Sequence, residues 1–294
     1  MTTPTPCLLT LPADEYHAAS RRGHFMSSHL LAHFRESPAL YHKEVSGEVP
    51  DIESPALALG RAYPSSHRSS GRAARYQTIS CAPLASASHC LILEGRQAFA
   101  DEYLVADGPV NARTGEAYGR STKAYAEWLA SQDRDVLSGR DYGFLLKLQT
   151  GVWQHAFASD LLSEGVAEGV IRTHYCDVPC QVRLDWLSAR HGLVDLKTCD
   201  SLRYFENDCR RYGYIHQLAF YRAVIREASG ETVPVHIIAV EKNEPFAAGV
   251  WKLSDDVLAQ AEFVNEAALK RFIACHEHEQ WPTGYEDVRI IDSI

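Results

Sequence analysis

Apolar and polar residues alternate most clearly in the middle of the chain, on both sides of a short polar turn. The alternating runs are 182–187 and 193–197, and residues 188–192, which end in a glycine, lie between them. Alternation around a short glycine-containing turn is typical of a β-hairpin. Side chains two residues apart share one face of a strand, so Asp195 and Lys197 are expected together. The hairpin is also expected to bring Asp185 beside Asp195.

Apolar periodicity over the rest of the chain predicts a mixture of helices and strands. The predicted strands are 167–175, 180–188, 192–198, 233–241 and 249–253. The predicted helices cover roughly 28–34, 39–44, 122–130, 138–163, 201–228 (as one helix or a pair) and 255–276. In the 138–163 helix a broad apolar face is expected to pack in the core; it consists of Phe144, Leu145, Leu148, Val152, Trp153, Phe157 and Leu161. The order of elements predicts an α/β protein.

Composition and charge bound the class of protein. The 294 residues are 46% hydrophobic and 23% charged, which is ordinary for a globular domain. No apolar run approaches the roughly 18 residues of a membrane span, and the N-terminus lacks the features of a signal peptide. Eight irregularly spaced cysteines favour a reduced, cytoplasmic setting over a disulfide framework or a metal cluster. The net charge of -9 argues against a protein that coats nucleic acid in general, but affinity for phosphates depends on local charge.

Two carboxylates and an ammonium at one edge of a sheet are a group that suits metal chemistry. Asp185, Asp195 and Lys197 form such a group, and hard cations such as Mg2+, with Mn2+ as a substitute, prefer oxygen ligands. A lysine beside the metal can orient a water molecule or stabilise charge on a phosphate. On these residues alone, two surface strands with scattered charges remain the favoured interpretation.

A helical segment downstream changes that balance. Gln217 and Tyr221 are four residues apart and share a helix face. An aspartate, then D-L-K-T ten residues on, then a helix with Q-x-x-x-Y, is similar to the pattern of PD-(D/E)XK nucleases of the RecB and lambda-exonuclease type. The sequence most resembles the RecE-like (exodeoxyribonuclease VIII) catalytic domain of bacteria and phages. Further matching pieces between about 27 and 253 are 57–62 (LALGRA), 89–95 (HCLILEG), Glu168 and 240–242 (VEK).

The resemblance implies a PD-(D/E)XK restriction-endonuclease-like core, with a central mixed sheet flanked by helices. The metal ligands that it implies are His89, Asp185, Asp195 and the main-chain carbonyl of Leu196. It also implies that Lys197 positions or activates the attacking water, and that Gln217 and Tyr221 brace the site and contact the DNA backbone. Glu168 would be a direct or water-mediated ligand, although an exposed acid at the start of a strand is an equal alternative.

One segment departs from the family pattern. Residues 63–88 separate the LALGRA and HCLILEG pieces, which follow each other almost directly in relatives. Their composition predicts an inserted flexible loop without function, and a DNA-contacting loop is the alternative. His67 competes with His89 by its distance from the LALGRA piece, but His89 fits the residues that follow it. The predicted organisation is an irregular lead-in over 1–26 and a single exonuclease domain over 27–294.

The function implied by the resemblance is a Mg2+-dependent DNA exonuclease. It would degrade linear duplex DNA from its ends, 5′ to 3′, and leave 3′ single strands for recombination. A homo-oligomeric ring and a single-strand annealing protein are the implied partners, with no membrane association. Two alternatives stay open: a related nuclease of other polarity or with endonuclease activity, and a non-catalytic DNA-binding or interaction protein whose site the insertion has disrupted.

Overall fold

The computed structural model describes residues 8–47 and 82–290. Its α-helices are α1 (Ala13–Arg21), α2 (Ser28–Glu36), α3 (Pro38–Ser46), α4 (Ala82–His89), α5 (Gly95–Glu102), α6 (Lys123–Ala130), α7 (Gly139–Gln154), α8 (Ala156–Leu161), α9 (Phe205–Arg211), α10 (Tyr214–Ser229) and α11 (Asp255–His278). A π-helix (Cys90–Glu94) follows α4, and a 3-10 turn (Leu202–Tyr204) precedes α9. The strands are β1 (Tyr103–Val105), β2 (Asp135–Leu137), β3 (Val166–Tyr175), β4 (Val178–Ser188), β5 (Gly192–Cys199), β6 (Val235–Glu241) and β7 (Ala248–Lys252).

A mixed five-stranded sheet, in the order β3-β4-β5-β6-β7, forms the centre of the fold. Strands β3, β4 and β5 are antiparallel, β6 lies parallel to β5, and β7 is antiparallel to β6. A parallel neighbour requires a crossover connection, and α9 with α10 supplies it. The central mixed sheet flanked by helices that was expected from the sequence is confirmed.

The predicted hairpin between β4 and β5 forms, and its turn is held by Ser188. The Ser188 hydroxyl accepts hydrogen bonds from the backbone N–H groups of Arg190 (3.2 Å) and His191 (3.1 Å). Gly192 follows at a φ of +75°, and a Cβ there would lie 2.4 Å from the carbonyl oxygen of Pro234. Only glycine fits this backbone without strain or collision. The turn therefore fixes the pairing of the two strands.

Both faces of the sheet are covered, which explains the continuous apolar run of β6. Val235, Ile237 and Ala239 pack in the core on the side of α10 and α11. Ile238 and Val240 pack on the opposite side, with the π-helix and α7. A strand that is buried on both faces does not show the alternation of apolar and polar residues that is typical of a strand with one exposed face. Asp195 and Lys197 have the same strand parity as Leu193, which belongs to the α10 side.

The N-terminal lead-in that was expected to be irregular is ordered from residue 8. Leu9 exchanges backbone hydrogen bonds with Val170 of β3. Helix α1 then packs against the sheet, and the buried Gln181 amide donates to the Tyr16 carbonyl oxygen (2.8 Å) and the Ser20 hydroxyl (2.7 Å). The expectation of irregular structure over 1–26 was wrong for this part, because buried side-chain contacts compensate for the prolines that suggested a loop.

Residues 82–163 depart from the sequence prediction in two ways. The last part of the expected 63–88 loop is helical, because α4 begins at Ala82; residues 63–81, including His67, lie outside the described residues. The single helix predicted over 138–163 breaks at His155 into α7 and α8. Its apolar face is only partly buried, since Trp153 is 41% and Phe157 64% exposed. None of the described helices is long and apolar enough to span a membrane.

Candidate active site

Strands β4 and β5 separate where the two predicted aspartates lie. The ladder pairs Ser188 with Gly192 and ends at Trp186 with Val194, one residue before Asp185 and Asp195. The Asp185 carboxylate accepts a hydrogen bond from the Leu196 backbone N–H at 2.8 Å. In a continuous ladder, a backbone carbonyl of the neighbouring strand would accept this hydrogen bond instead. The opening is therefore lined by carboxylates rather than closed by main-chain pairing.

Asp195 and Lys197 form a close pair on one face of β5, as the alternation predicted. The Lys197 ammonium lies 2.7 Å from Asp195 Oδ2, and the Asp195 side chain is only 1% exposed. Burial raises the pKa of Asp195, and the Lys197 charge partly opposes this shift. Burial works against the charge of Lys197, but Asp195 and Asp185 outweigh it and raise the pKa of the ammonium. The lysine is therefore held protonated.

Glu168 faces the same opening from the neighbouring strand. It lies between the β3 residues that pair with Trp186 and Leu184, opposite Asp185, and its φ of +53° is left-handed. Arg183 Nε lies 2.6 Å from Glu168 Oε2. Burial, and then the charge of Asp185, raises the pKa of Glu168 to about 8 despite this arginine. The alternative interpretation of Glu168 as an exposed acid at the start of a strand was wrong, because the side chain is 16% exposed and groups with His89 and Asp185.

His89 completes the cluster from the other side of the sheet. It is the last residue of α4, immediately before the π-helix, a kind of segment that is often found at functional sites. Its Nδ1 atom lies 3.5 Å from Asp185 Oδ2 and 4.0 Å from Glu168 Oε1. The sequence pattern thus selected a histidine that the fold brings beside the predicted carboxylates.

The donor atoms fit a divalent cation. One ligand atom each from His89, Glu168 and Asp185 lie within 4.8 Å of one another. Asp195 is outside this group and points toward Lys197, but its buried Oδ1 has no hydrogen-bond partner among the described residues. Carboxylate oxygens and an imidazole suit Mg2+ or Mn2+. A second such group, His29, His33 and Glu44, lies on α2 and α3.

Gln217 and Tyr221 lie on the helix that covers this face of the sheet. The Gln217 amide donates to the Tyr221 hydroxyl at 3.0 Å, and the Ser28 hydroxyl donates to the same oxygen at 3.3 Å. The ring of Tyr214, one turn earlier, lies 4.9 Å from Lys197 Nζ. The predicted shared face of Gln217 and Tyr221 is therefore present, and α2 is tied to it through Ser28.

Sequence reasoning missed Arg183, Tyr214 and Ser28. Arg183 lies two residues before Asp185 on β4, so strand alternation could have identified it. Tyr214 lies three residues before Gln217, within the same helix face. No local signal linked Ser28 to Tyr221, because the two residues meet only through the packing of α2 on α10.

The mixed sheet, the crossover helices and the acid-and-lysine arrangement define a PD-(D/E)XK-type fold. The chain belongs to the family described as "PDDEXK-like domain of unknown function (DUF3799)", which matches residues 27–293. It is similar in fold to the crystal structure of a protein from Eubacterium rectale named as a candidate exonuclease, with a TM-score of 0.59 and 14% identity over 97% of this chain and 96% of that chain. No curated protein matches the sequence.

Proposed function

We propose that the protein is a divalent-metal-dependent nuclease that hydrolyses phosphodiester bonds in DNA. The observation that carries the proposal is the opening between β4 and β5. There His89, Glu168 and Asp185 gather within 4.8 Å, next to the Asp195–Lys197 pair. Arg183 and Lys197 offset part of the charge of these acids, and a bound divalent cation would offset the rest.

In this proposal Asp185, Asp195, His89 and the Leu196 carbonyl hold Mg2+ or Mn2+. The Leu196 N–H points into the opening toward Asp185. Because the N–H and C=O groups of one strand residue face the same neighbouring strand, the Leu196 carbonyl would also point into the opening. Glu168 would act directly or through a water. When bound, the cation supplies stabilisation of charge on the scissile phosphate and activation of a water.

Lys197 supplies a fixed positive charge beside the reacting phosphate. The Asp195 carboxylate, 2.7 Å from the Lys197 ammonium, holds this side chain in place on its face of β5. The ammonium would therefore donate hydrogen bonds to the attacking water or to a phosphate oxygen. Gln217 and Tyr221, joined to each other at 3.0 Å, would position the DNA backbone against this charge.

The finer assignment rests on the RecE-like motifs. We propose an exonuclease that acts on the ends of linear duplex DNA, degrades one strand 5′ to 3′ and leaves 3′ single strands for recombination. A homo-oligomeric ring, a single-strand annealing partner and a cytoplasmic location belong to the same proposal. We further propose that residues 27–294 form one catalytic domain. The name of the fold neighbour, a candidate exonuclease, supports the proposal of exonuclease activity.

The test is digestion of linear duplex labelled at either the 5′ or the 3′ end, with Mg2+ or Mn2+. We expect early release of labelled mononucleotide from the 5′ end only, and no cutting of covalently closed circles. Asp195→Asn is the catalytic control. Cutting of circles would indicate an endonuclease, and release from the 3′ end would reverse the polarity. No metal-dependent cutting by folded protein would contradict the proposed function.

A further inference from the structure

A basic cleft lies on the outer side of the site. It is a hollow of about 750 Å³ between α2, the α9–α10 junction and α11. The residues of this basic cleft that matter here are Arg35, Arg210, Arg211, Tyr212, His216 and Arg271. Its volume lies within the range of about 300–1,000 Å³ that is usual for ligand-binding clefts. Four arginines converge here in a chain whose net charge is -9, so the cleft is a local feature.

The arginines of the basic cleft lack acidic partners. Arg35 donates to the Asn265 amide oxygen (3.3 Å), and Arg271 to the Phe34 carbonyl (3.2 Å). Arg210 donates to the Glu206 carbonyl (3.2 Å). Within the described ranges, no carboxylate lies within 4.0 Å of any of the four guanidinium groups. Glu36 is the one acidic residue among the described residues that line the cleft, so the four arginines are accompanied by a single carboxylate, and the excess positive charge attracts an anion.

Exposed aromatic rings accompany this charge. Tyr212 is 57% exposed, and the Arg211 guanidinium packs 5.4 Å from its ring centroid. Tyr204, which does not line the cleft, is 55% exposed and has the same arrangement with Arg203, whose guanidinium lies 5.5 Å from the ring centroid. Arginines beside exposed rings are typical of surfaces that bind the backbone and stack the bases of a single strand. Paired bases inside a duplex cannot stack on such rings.

Aromatic contacts connect the cleft to the candidate active site. The Tyr212 ring lies 5.8 Å from the Tyr214 ring, and the Tyr214 ring lies 4.9 Å from Lys197 Nζ. His216 lines the cleft and precedes Gln217 in α10. The first turn of α10 therefore separates the cleft from the residues proposed to act on the phosphate.

We propose that the basic cleft binds single-stranded DNA, with arginines on the phosphates and Tyr212 against a base. The proposal rests on the proposed function, since it assigns the cleft to the unpaired part of the same DNA substrate. It adds a binding site outside the metal cluster, which would hold the strand while the neighbouring site reacts.

The test measures binding apart from cleavage. A labelled oligothymidylate is titrated with full-length protein in EDTA, and anisotropy is read at several salt concentrations. We compare wild type with Arg210→Gln/Arg211→Gln. The control, Arg113→Gln/Arg140→Gln, makes the same charge change at exposed arginines without an ion pair in the described residues. Each lost phosphate contact should lower the slope of log K against log salt by about 0.7.

We expect the cleft variant to bind at least about tenfold more weakly, with a slope lower by about 1.4, and the control variant to match wild type. Tyr212→Leu should weaken binding about tenfold with an unchanged slope, because stacking is not ionic. Circular dichroism checks that each variant is folded. Equal losses in both double variants, equal effects on a blunt duplex, or no wild-type binding would overturn the proposal. Failure of the proposed function would instead abolish metal-dependent cutting and leave binding in EDTA intact.

Discussion

The Asp185 carboxylate replaces a strand as the acceptor for the Leu196 N–H, at 2.8 Å. This hydrogen bond lies one step beyond the last paired residues of β4 and β5. One aspartate thus both satisfies the backbone where the sheet opens and offers its carboxylate to the cluster with His89 and Glu168. Its structural and functional roles should be separable by mutation.

Asp185→Asn and Asp185→Ala are expected to differ in stability but not in activity. Both remove the carboxylate, so both should abolish Mn2+ binding and DNA cleavage. Asparagine retains an oxygen for the Leu196 N–H, whereas alanine leaves it unsatisfied at a cost of about 1–3 kcal/mol. Urea denaturation measures this difference, and calorimetry measures metal uptake. For calorimetry all variants also carry His29→Gln, because this change weakens the second group of candidate metal ligands, on α2 and α3, and so reduces metal uptake outside the site. Equal stability of the two variants would contradict the role of this hydrogen bond.

Lys197→Met is expected to reduce cleavage at least about 100-fold while DNA binding in EDTA is retained. Methionine approximates the length of the side chain but removes the charge that lies 2.7 Å from Asp195. Lys197→Arg should not restore activity, because the larger planar guanidinium replaces a compact ammonium at a largely buried position. Lys147→Met, at a lysine 56% exposed, is the matched control and should remain active. Near-normal cleavage by Lys197→Met would remove the lysine from the mechanism.

Glu168→Gly is expected to be more stable than Glu168→Ala by about 1 kcal/mol, because only glycine adopts the observed φ of +53° without steric cost. Both variants lose the carboxylate, so the comparison isolates the backbone. At Glu227, on the exposed side of α10, the order of stability should reverse: Glu227→Ala should be more stable than Glu227→Gly by a similar amount, since glycine weakens a helix. Thermal melts of the four variants provide the measurement. If alanine were more stable than glycine at both positions, the backbone at Glu168 would not be strained.

Between pH 7 and pH 5, His236 is expected to contribute a loss of stability on acidification, opposite in sign to the gain contributed by Glu168 and Asp195, whose pKa values burial raises. Burial, and then the charges of Lys252 and His191, lower the pKa of this imidazole in the folded state. The unfolded chain takes up the proton at about pH 6.5, so stability is present above that pH and is lost below it. His236→Gln should reduce this loss, but His17, His216 and His276, whose pKa values burial also lowers, should preserve part of it.

Denaturation at both pH values tests the His236 prediction, with His24→Gln at an exposed position as the control. If the change in stability between the two pH values were the same in His236→Gln as in the wild type, a contribution from His236 would be excluded.

Local patterns carried much of the fold and part of the site. Alternation predicted β4, β5 and the shared face of Asp195 and Lys197, because side chains on a strand repeat every two residues. Helical spacing predicted that Gln217 and Tyr221 would meet, and they do at 3.0 Å. The resemblance selected His89. The breaks in regular structure, at His155 and at the π-helix after His89, were not predicted.

The sequence by itself determined which side chains share a strand or helix face, because that depends on backbone geometry over a few residues. Only the tertiary structure decided where β4 and β5 separate, how Arg183 pairs with Glu168, and how α1 packs on the sheet. These features depend on where a ladder stops and on contacts between distant segments. Such contacts form only once the whole core has packed, so no short stretch of sequence encodes them.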